Sequence, residues 1–259
     1  MMNTGKWALV TGASGGMGVE FASLLAERGY NLVLTARSAD RLEKVASNLR
    51  SFGGQIHVER SDLSQEGAAA ALVETIRKRG IVLDVLINNA GQGLHGDFVD
   101  QSAEDIEQML RLNISSLTTL THEIATGMAE RRRGHILLVA SLTAFMPCPT
   151  YAAYAASKAY VRNFGEALHA EMAPRDVTVT VLSPGLMDTG FLNAAGQEPS
   201  KSMKRTMTSP RETAKAGIDA LFAGRQTVVA GSMNRLVAAV SAFIPRGRLT
   251  RMAGQLLQE

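Results

Sequence analysis

The chain has 259 residues, of which 46% are hydrophobic and 20% charged, and its formal net charge is +3. This length and apolar content suit one α/β domain with a continuous core, and the small positive charge gives no indication of a nucleic-acid-binding protein. The single cysteine, Cys148, excludes an intramolecular disulfide and favours a reducing compartment.

The chain begins with a short apolar strand and a glycine-rich turn. Residues 7–11 are mostly apolar and are followed by glycine, as is typical of a buried parallel strand. Gly12, Gly16 and Gly18 then follow the spacing T-G-x-x-x-G-x-G, and a helical pattern covers 19–28. Glycine permits a tight turn and close approach of a pyrophosphate to the backbone, and the helix N-terminus favours phosphate. These features predict a dinucleotide site.

The second predicted strand, 31–35, ends just before Ala36 and Arg37. An NAD site usually has a carboxylate near this point to hold the ribose 2′-hydroxyl, whereas an arginine accommodates a 2′-phosphate. Because Ala36 stands where the acid would be and Arg37 follows, the sequence predicts NADP(H). The alternative is that Arg37 is a surface residue that caps a loop.

Strand and helix patterns alternate along the rest of the chain. Further strands are predicted at 55–59, 84–88, 135–140, 177–182 and 227–230. Helices are predicted at 40–52, at 64–79 with Ser64 as its cap, from Ser102 through Asn113 to 132, and at 151–172. This alternation predicts a doubly wound, parallel, seven-stranded sheet between two helical layers, the three-layer α/β/α Rossmann architecture, over residues 1–232. A ligand is expected at the carboxyl ends of the strands, where the strand order reverses.

Tyr154 and Lys158 are four residues apart in the predicted helix 151–172, and Ser141 lies thirteen residues before Tyr154. Residues at this spacing share one helix face. A nearby cation lowers the pKa of a phenol from its usual value of about 10, which would make the tyrosine a general acid and base for a carbonyl/alcohol couple. Tyr151 competes for this role by residue type, but it is two helical turns from Lys158.

The chain resembles the short-chain dehydrogenase/reductase family over residues 6 to about 190. The motifs that carry the resemblance are the glycine turn 11–18, Asp62-Leu63, Asn88-Asn89-Ala90-Gly91, Asn113, Ser141, Tyr154, Lys158 and Pro184-Gly185. The resemblance implies that Tyr154 gives a proton to the carbonyl and that Ser141 hydrogen-bonds the substrate oxygen. It also implies that Lys158 binds the nicotinamide ribose and lowers the tyrosine pKa, and that Asn113 holds a water in a proton relay.

The resemblance further implies a set of residues that hold NADP(H). These are Gly12, Ser14, Gly15, Gly16, Met17, Gly18, Arg37, Asp62, Leu63, Asn89, Ala90, Gly91, Tyr154, Lys158, Pro184, Gly185 and Thr189. Within this set Asp62 would face the adenine, and the last three residues would border the nicotinamide. The five histidines show no ligand spacing, so no metal site is expected. The resemblance also implies a homodimer or homotetramer with the helices at 102–132 and 151–172 in the interface.

Two segments differ from the rest of the pattern. Residues 186–209 combine glycines, Pro199 and the basic residues Lys201, Lys204 and Arg205, and in the family such a stretch is a mobile lid over the substrate; the alternative is an ordinary surface loop. Residues 233–259 form a basic amphipathic extension, predicted as one or two helices broken at Pro245 and Gly247. Three interpretations of this tail remain open: packing on the domain or on an oligomer partner, contact with an anionic membrane surface, or closure over the substrate site.

The function expected from these features is NADPH-dependent reduction of a carbonyl in a small apolar substrate, or oxidation of the matching alcohol. A 3-oxoacyl thioester, a steroid-like ketone and an aldehyde all fit, and nothing in the sequence selects one of them. Alternatives are a non-catalytic NADP-binding protein and a membrane-surface protein acting through its tail; the glycine spacing disfavours an extended epimerase or dehydratase. Cys148 is either an inert loop thiol or part of the pocket lining. With no evident signal peptide and no apolar run of about 18 residues, a cytoplasmic location is expected.

Overall fold

A computed structural model describes residues 4–198, 200, 203–204 and 207–258. Three of the residues on which the lid prediction drew, Pro199, Lys201 and Arg205, lie outside this part of the chain, as does the terminal Glu259.

In the described part of the chain, seven strands form one sheet in which every neighbouring pair is parallel. The strands are β1 Trp7–Thr11, β2 Asn31–Ala36, β3 Ile56–Arg60, β4 Leu83–Asn88, β5 Gly134–Val139, β6 Val177–Ser183 and β7 Thr227–Val229. Their order is β3-β2-β1-β4-β5-β6-β7, so the direction of winding reverses between β1 and β4. The predicted doubly wound sheet is confirmed.

Helices cover both faces of this sheet. They are α1 Gly16–Ala26, α2 Ala39–Leu49, α3 Ala68–Lys78, α4 Ala103–Leu110, α5 Leu117–Glu130, α6 Ala152–Met172, α7 Phe191–Ala194, α8 Pro210–Phe222, α9 Ser232–Ser241 and α10 Arg246–Gln258. One apolar core joins the sheet to α1, α2 and α8 through residues such as Phe21 and Ile218. A second core joins the opposite face to α3, α5 and α6 through residues such as Leu120 and Val161. Burial of apolar side chains on both faces stabilises the three-layer architecture.

The local signals at helix N-termini predicted one boundary correctly and another wrongly. Ser102 caps α4 by accepting a hydrogen bond from the N–H of Asp105, as expected. Ser64 does not cap α3, which begins only at Ala68. The Ser64 hydroxyl and N–H both donate to the Asp62 carboxylate instead, and Gly67 adopts a left-handed φ of 74° just before the helix. Ser64 therefore bonds to a residue two positions before it in the chain, and the helical turn predicted to start at Ser64 does not form.

Sequence patterns gave no prediction of α8, although it carries a capping signal. Ser209 accepts from the N–H of Glu212, and Pro210 occupies the first helical position, where its missing N–H costs nothing. The helix buries Ala214, Ile218 and Leu221 against the sheet beside α1.

The C-terminal tail forms two helices, α9 and α10, that pack on the domain. Their inner face buries Ala238, Ser241, Leu249 and Ala253. α9 contacts the short 3₁₀ helix Leu142–Phe145 that follows β5. Within the described residues, none of the helices combines the length and the apolar character needed to cross a membrane.

Candidate functional site

The site is built at the carboxyl edge of the sheet, where β1 and β4 lie side by side. The Thr11 hydroxyl accepts hydrogen bonds from the N–H groups of Asn89 and Ala90 at 2.9 and 2.8 Å. The Asn89 amide donates in return to the Thr11 carbonyl at 2.9 Å. These bonds hold the glycine turn after β1 against the loop after β4, at the reversal point where a ligand was expected.

The glycine turn has no room for side chains where it meets its neighbours. Gly12 has a φ of +67°, and a Cβ there would lie 2.9 Å from the Asn89 amide nitrogen. A Cβ on Gly18 would overlap the carbonyl oxygen of Gly12. On the other side of the turn Gly16 faces Thr189, whose Cβ would be 3.2 Å from an added Cβ. At these three glycines no side chain keeps a pyrophosphate away from the backbone. The turn is called the phosphate cradle below.

The N-terminus of α1 fits an anion. Among the described residues no side chain caps the helix at Gly15, and its first turn carries no acidic residue. The leading N–H groups and the positive end of the helix dipole are therefore left to a ligand. Ser14 is partly exposed in the same turn, whereas Met17 is buried beneath it. The residues present fit the phosphates of a dinucleotide.

The ends of β2 and β3 bring two arginines together. Arg37 is exposed just after β2. Arg60 pairs in register with Ala36, and its Nε donates to the Arg37 carbonyl at 3.1 Å. Sequence reasoning missed Arg60, although the parallel pairing of predicted neighbouring strands carries the signal. The pair provides positive charge where a ribose 2′-phosphate would lie.

Asp62 and Leu63 follow β3 at the edge of this region. Burial raises the pKa of the Asp62 carboxyl, but the hydrogen bonds from Ser64 and Gln65 and the charge of Arg37 outweigh it, so the pKa lies below its ordinary value. Asp62 is thus ionised at neutral pH. Leu63 is buried, and its carbonyl accepts a hydrogen bond from the Ser116 hydroxyl.

The predicted catalytic residues converge beside this cradle. The side chain of Tyr154 is only 7% exposed, and its hydroxyl shares a hydrogen bond with that of Ser141, which follows β5. Lys158 lies one turn further along α6, 4% exposed, and its Nζ donates to the Val139 carbonyl at 3.0 Å. Gly91 lies against both Lys158 and Asn113, since a Cβ on it would come within 3.1 and 3.3 Å of their polar atoms.

Asn113 is held by an irregular helical turn. Residues 111–116 form a π-helical turn between α4 and α5, a feature often found at functional sites. The fully buried Asn113 side chain accepts from the N–H of Gln92 and donates to its carbonyl, both at 2.9 Å. It also donates at 3.1 Å to the Ser157 hydroxyl, which in turn donates to the Tyr154 carbonyl at 2.7 Å. Ser157, which sequence reasoning missed, thus joins Asn113 to the tyrosine turn of α6.

The pKa of Tyr154 differs from the expectation. Burial raises it above its ordinary value, Tyr151 and Cys148 add to the increase, and the hydrogen bond with Ser141 opposes it. The predicted lowering by Lys158 is wrong for this arrangement, because the Lys158 Nζ lies 5.9 Å from the Tyr154 ring centroid and is engaged by Val139. Burial also lowers the pKa of Lys158 to about 8. Tyr154 therefore keeps its proton at neutral pH, and Lys158 is poised near its titration point.

The buried charge of Lys158 leads to a prediction about stability. Its pKa falls from 10.5 to about 8 on folding, so the unfolded chain holds more protons between these values and the free energy of unfolding rises with pH from about 8 to 10. The raised pKa of Cys148 acts in the opposite direction from about pH 9, and that of Tyr154 above pH 10. Both effects are present with and without Lys158, so the difference between the two pH profiles reports on Lys158. We expect Lys158→Met to be more stable than the wild type by about 0.5–2 kcal/mol at pH 7 and to lose the rise between pH 8 and 10. Urea unfolding of the two proteins at pH 8 and pH 10 measures this rise. Equal changes in the free energy of unfolding between these pH values would contradict the prediction.

Tyr154 belongs to an apolar cluster. Its buried members are Met109, Cys148, Tyr151, Tyr154, Ala155 and Ala195, with Leu94, Met146 and Phe191 among the partly buried residues around them. The rings of Tyr151 and Phe191 both lie 5.7 Å from that of Tyr154, centroid to centroid. Burial raises the pKa of the Cys148 thiol to about 11, which makes it an unreactive part of the lining.

Tyr151 is engaged elsewhere and does not compete for the acid role. Its hydroxyl donates to the Gln197 side chain at 2.8 Å, and burial raises its pKa to about 12. The His95 ring lies 5.0 Å away from that of Tyr151. Gln197 is a contact that sequence reasoning missed, because it joins α6 to a segment 46 residues away.

The segment after β6 crosses the apolar end of the site. Phe191 packs on Gly93, where an added Cβ would lie 2.9 Å from the ring, and the Ala195 carbonyl accepts from the N–H of His95 at 2.9 Å. Pro184 lies beside the segment that follows Ser141, since its carbonyl accepts from the N–H of Leu142 at 2.8 Å. This segment lies against the apolar end of the site, and its role as a mobile lid over the substrate stays a prediction.

The tail also contacts this region. A Cβ on Gly185 would overlap the side-chain amide of Asn234 in α9. Gly254 of α10 approaches Pro149, which follows Cys148 in the pocket segment, and an added Cβ would lie 3.2 Å from its ring. The tail thus packs on the domain, the first of the three interpretations, whereas closure over the substrate site and contact with a membrane stay predictions.

The chain is similar in sequence to a known protein family and to several of its members. The family model described as short chain dehydrogenase matches residues 6–200. The human 17-beta-hydroxysteroid dehydrogenase type 3 is 31% identical over 194 residues, which are 74% of this chain and 62% of that protein. A very-long-chain 3-oxoacyl-CoA reductase of Podospora anserina is 35% identical over 193 residues, 72% of this chain and 56% of that protein. This chain therefore spans less than two thirds of the length of either relative.

Among solved structures, a short-chain dehydrogenase from Sphingobium yanoikuyae in complex with NADPH superposes with a TM-score of 0.82. It shares 29% sequence identity, and the match covers 92% of this chain and 93% of that one.

Proposed function

Because the chain belongs to the short-chain dehydrogenase family, we propose that it is an NADPH-dependent oxidoreductase that reduces the carbonyl of an apolar substrate or oxidises the matching alcohol. Membership makes it an oxidoreductase of the CH–OH/C=O couple. The observation that carries the proposal is the buried Tyr154, hydrogen-bonded to Ser141 at the edge of the sheet and backed by Lys158. The protonated phenol of Tyr154 can still give its proton to the carbonyl oxygen, because the alkoxide that forms there is a much stronger base than a phenolate.

Each site residue has a role in this reaction. When bound, NADPH supplies the hydride that reaches the carbonyl carbon. Tyr154 transfers its proton to the carbonyl oxygen, and Ser141 donates a hydrogen bond to the same oxygen as charge develops. Lys158, near its titration point, replaces the proton lost from the tyrosine and binds the nicotinamide ribose. Asn113, fixed by Gln92 and Ser157, holds the water that links Lys158 to solvent.

The preference for NADPH over NADH is supported by the charge around the end of β2. Arg37 and Arg60 lie together, and no acid replaces Ala36. We expect Arg37→Ala to weaken NADPH binding by about 10- to 100-fold, the loss of one charged hydrogen bond, and to leave NADH binding nearly unchanged. Coenzyme titration by fluorescence measures both affinities. Arg50→Ala removes the same charge at the far end of α2 and is the matched control. An equal loss for both coenzymes would show that Arg37 does not bind the 2′-phosphate.

The substrate we propose is an apolar carbonyl compound. The support is the cluster of Met109, Cys148, Tyr151 and Phe191 around Tyr154, together with the steroid and very-long-chain acyl relatives named above. NADPH oxidation by the purified chain against steroid ketones, 3-oxoacyl thioesters and aliphatic and aromatic aldehydes tests it. Turnover confined to small polar carbonyls would contradict the apolar class.

We also propose a homodimer or homotetramer in the cytoplasm. The support for an oligomer is the exposed Tyr160 of α6, which stacks on the partly buried Phe164 at 5.7 Å and shares a hydrogen bond with Thr118 of α5. The support for the cytoplasm is the single, buried Cys148. Light scattering that gave a monomer mass would overturn the first proposal, and fractionation of cells the second.

A further inference from the structure

The outer face of the tail carries an apolar stripe. Met233, Leu236, Val240 and Phe243 are exposed to 66, 57, 44 and 87%. Their spacing of three, four and three residues places them on one side of α9 and its C-terminal end, opposite the buried Ala238 and Ser241. Large apolar side chains in a continuous exposed stripe mark an interaction surface rather than isolated surface residues.

The tail is also strongly basic. Arg235, Arg246, Arg248 and Arg251 are all exposed, and residues 233–258 contain no Asp or Glu. Several arginines elsewhere in the described chain form ion pairs, such as Arg28 with Asp219. Within the described residues none of the four tail arginines pairs with an acid. The tail therefore presents a positive charge that the protein itself does not balance.

The apolar stripe and the positive charge together indicate which kind of partner binds the tail. A second copy docked tail to tail would bring one basic tail against another, which is repulsive. A purely acidic partner would leave Phe243 in water. An anionic lipid surface offers both the negative headgroups and the apolar layer beneath them. We propose that the outer face of α9 and α10 docks on an anionic bilayer surface, lying on the membrane and not crossing it.

The inner face of the tail gives this docking a consequence for the site. Asn234 packs on Gly185, and Gly254 packs on Pro149, so the surface-bound helices lie against the substrate end of the pocket. The tail therefore holds the mouth of the site close to the bilayer. An apolar substrate would then enter from the lipid phase without crossing water; this consequence rests on the proposed function, whereas the docking does not.

Vesicle co-sedimentation of the full chain tests the docking. We expect binding to vesicles of phosphatidylcholine with 30% phosphatidylglycerol (roughly the anionic fraction of charged membranes), none to pure phosphatidylcholine, and weaker binding at high salt. Arg246→Gln with Arg248→Gln should weaken binding by about 25-fold, roughly fivefold for each arginine. Phe243→Ser should weaken it by about tenfold or more.

Matched controls separate the tail from general charge and apolar effects. Lys44→Gln with Lys78→Gln removes the same charge from exposed positions on α2 and α3, and Val82→Ser removes an exposed apolar side chain before β4, at the opposite end of the sheet. These variants should bind as the wild type does, and so should Tyr154→Phe, because docking needs no turnover. The proposal fails if the wild type ignores anionic vesicles or if the tail variants bind as well as the controls. Loss of a dimer on Phe243→Ser, without vesicle binding, would assign the stripe to a second copy instead.

Discussion

Replacing Tyr154 with phenylalanine is expected to lower kcat by about 10²- to 10⁴-fold, the usual contribution of a positioned general acid. The change removes one oxygen from a side chain that is otherwise held by α6 and by the rings of Tyr151 and Phe191. Its partner Ser141 retains a hydrogen bond from the N–H of Thr143, so the fold around it should persist. Stopped-flow or steady-state NADPH oxidation measures the loss, and NADPH affinity should change little.

Tyr151→Phe is the matched control for this variant. It removes the same atom three residues away, from a hydroxyl that donates to Gln197 and not to Ser141. We expect its kcat to stay within a few-fold of the wild type, with any effect on KM arising from the lost contact to the lid segment. Equal losses in both variants would show that the apolar cluster, and not the Tyr154 proton, limits the reaction. Undiminished biological function of Tyr154→Phe would favour the non-catalytic NADP-binding alternative.

The sheet and the glycine turn could be predicted because their signals are local. Apolar runs of five to seven residues predict strands buried on both faces, and the observed strands of the inner sheet, such as β1 and β4, are buried along nearly their whole length. The glycines after β1 mark backbone positions that tolerate no side chain. The Tyr154–Lys158 spacing likewise depends only on the geometry of one helix.

The properties of the site that could not be predicted depend on residues far apart in the chain. The pKa of Tyr154 is set by burial among α6, the Cys148 segment and Ser141, which no spacing within α6 reveals. The Tyr151–Gln197 bond and the contact of Asn234 with Gly185 join segments that only the tertiary fold brings together. The wrongly predicted cap at Ser64 also results from a contact with another residue, although one nearby in the chain. The Asp62 carboxylate competes with the helix for the serine hydroxyl.

Gly18→Val is expected to disable the coenzyme site and to destabilise the fold. Any Cβ on Gly18 overlaps the carbonyl oxygen of Gly12. Gly12 has nowhere to move, because it abuts the Asn89 amide and Ala90, and the N–H of Ala13 is bonded to the Thr35 carbonyl at 3.1 Å. The cost should be about 3 kcal/mol of unfolding free energy, and displacement of the phosphate cradle by about 1 Å should weaken coenzyme use by about 10²-fold.

Gly15→Val provides the structural control for that variant, since the two glycines belong to the same turn. Gly15 has an extended backbone, with φ of −176°, and an added Cβ there meets nothing within 4 Å. Its urea midpoint should therefore match that of the wild type, while that of Gly18→Val falls. If both variants were equally stable and bound NADPH equally well, the close contact between α1 and β1 would not be what shapes the cradle. A fall in Gly18→Val alone would mean that this single backbone contact couples the packing of the first helix to the coenzyme site.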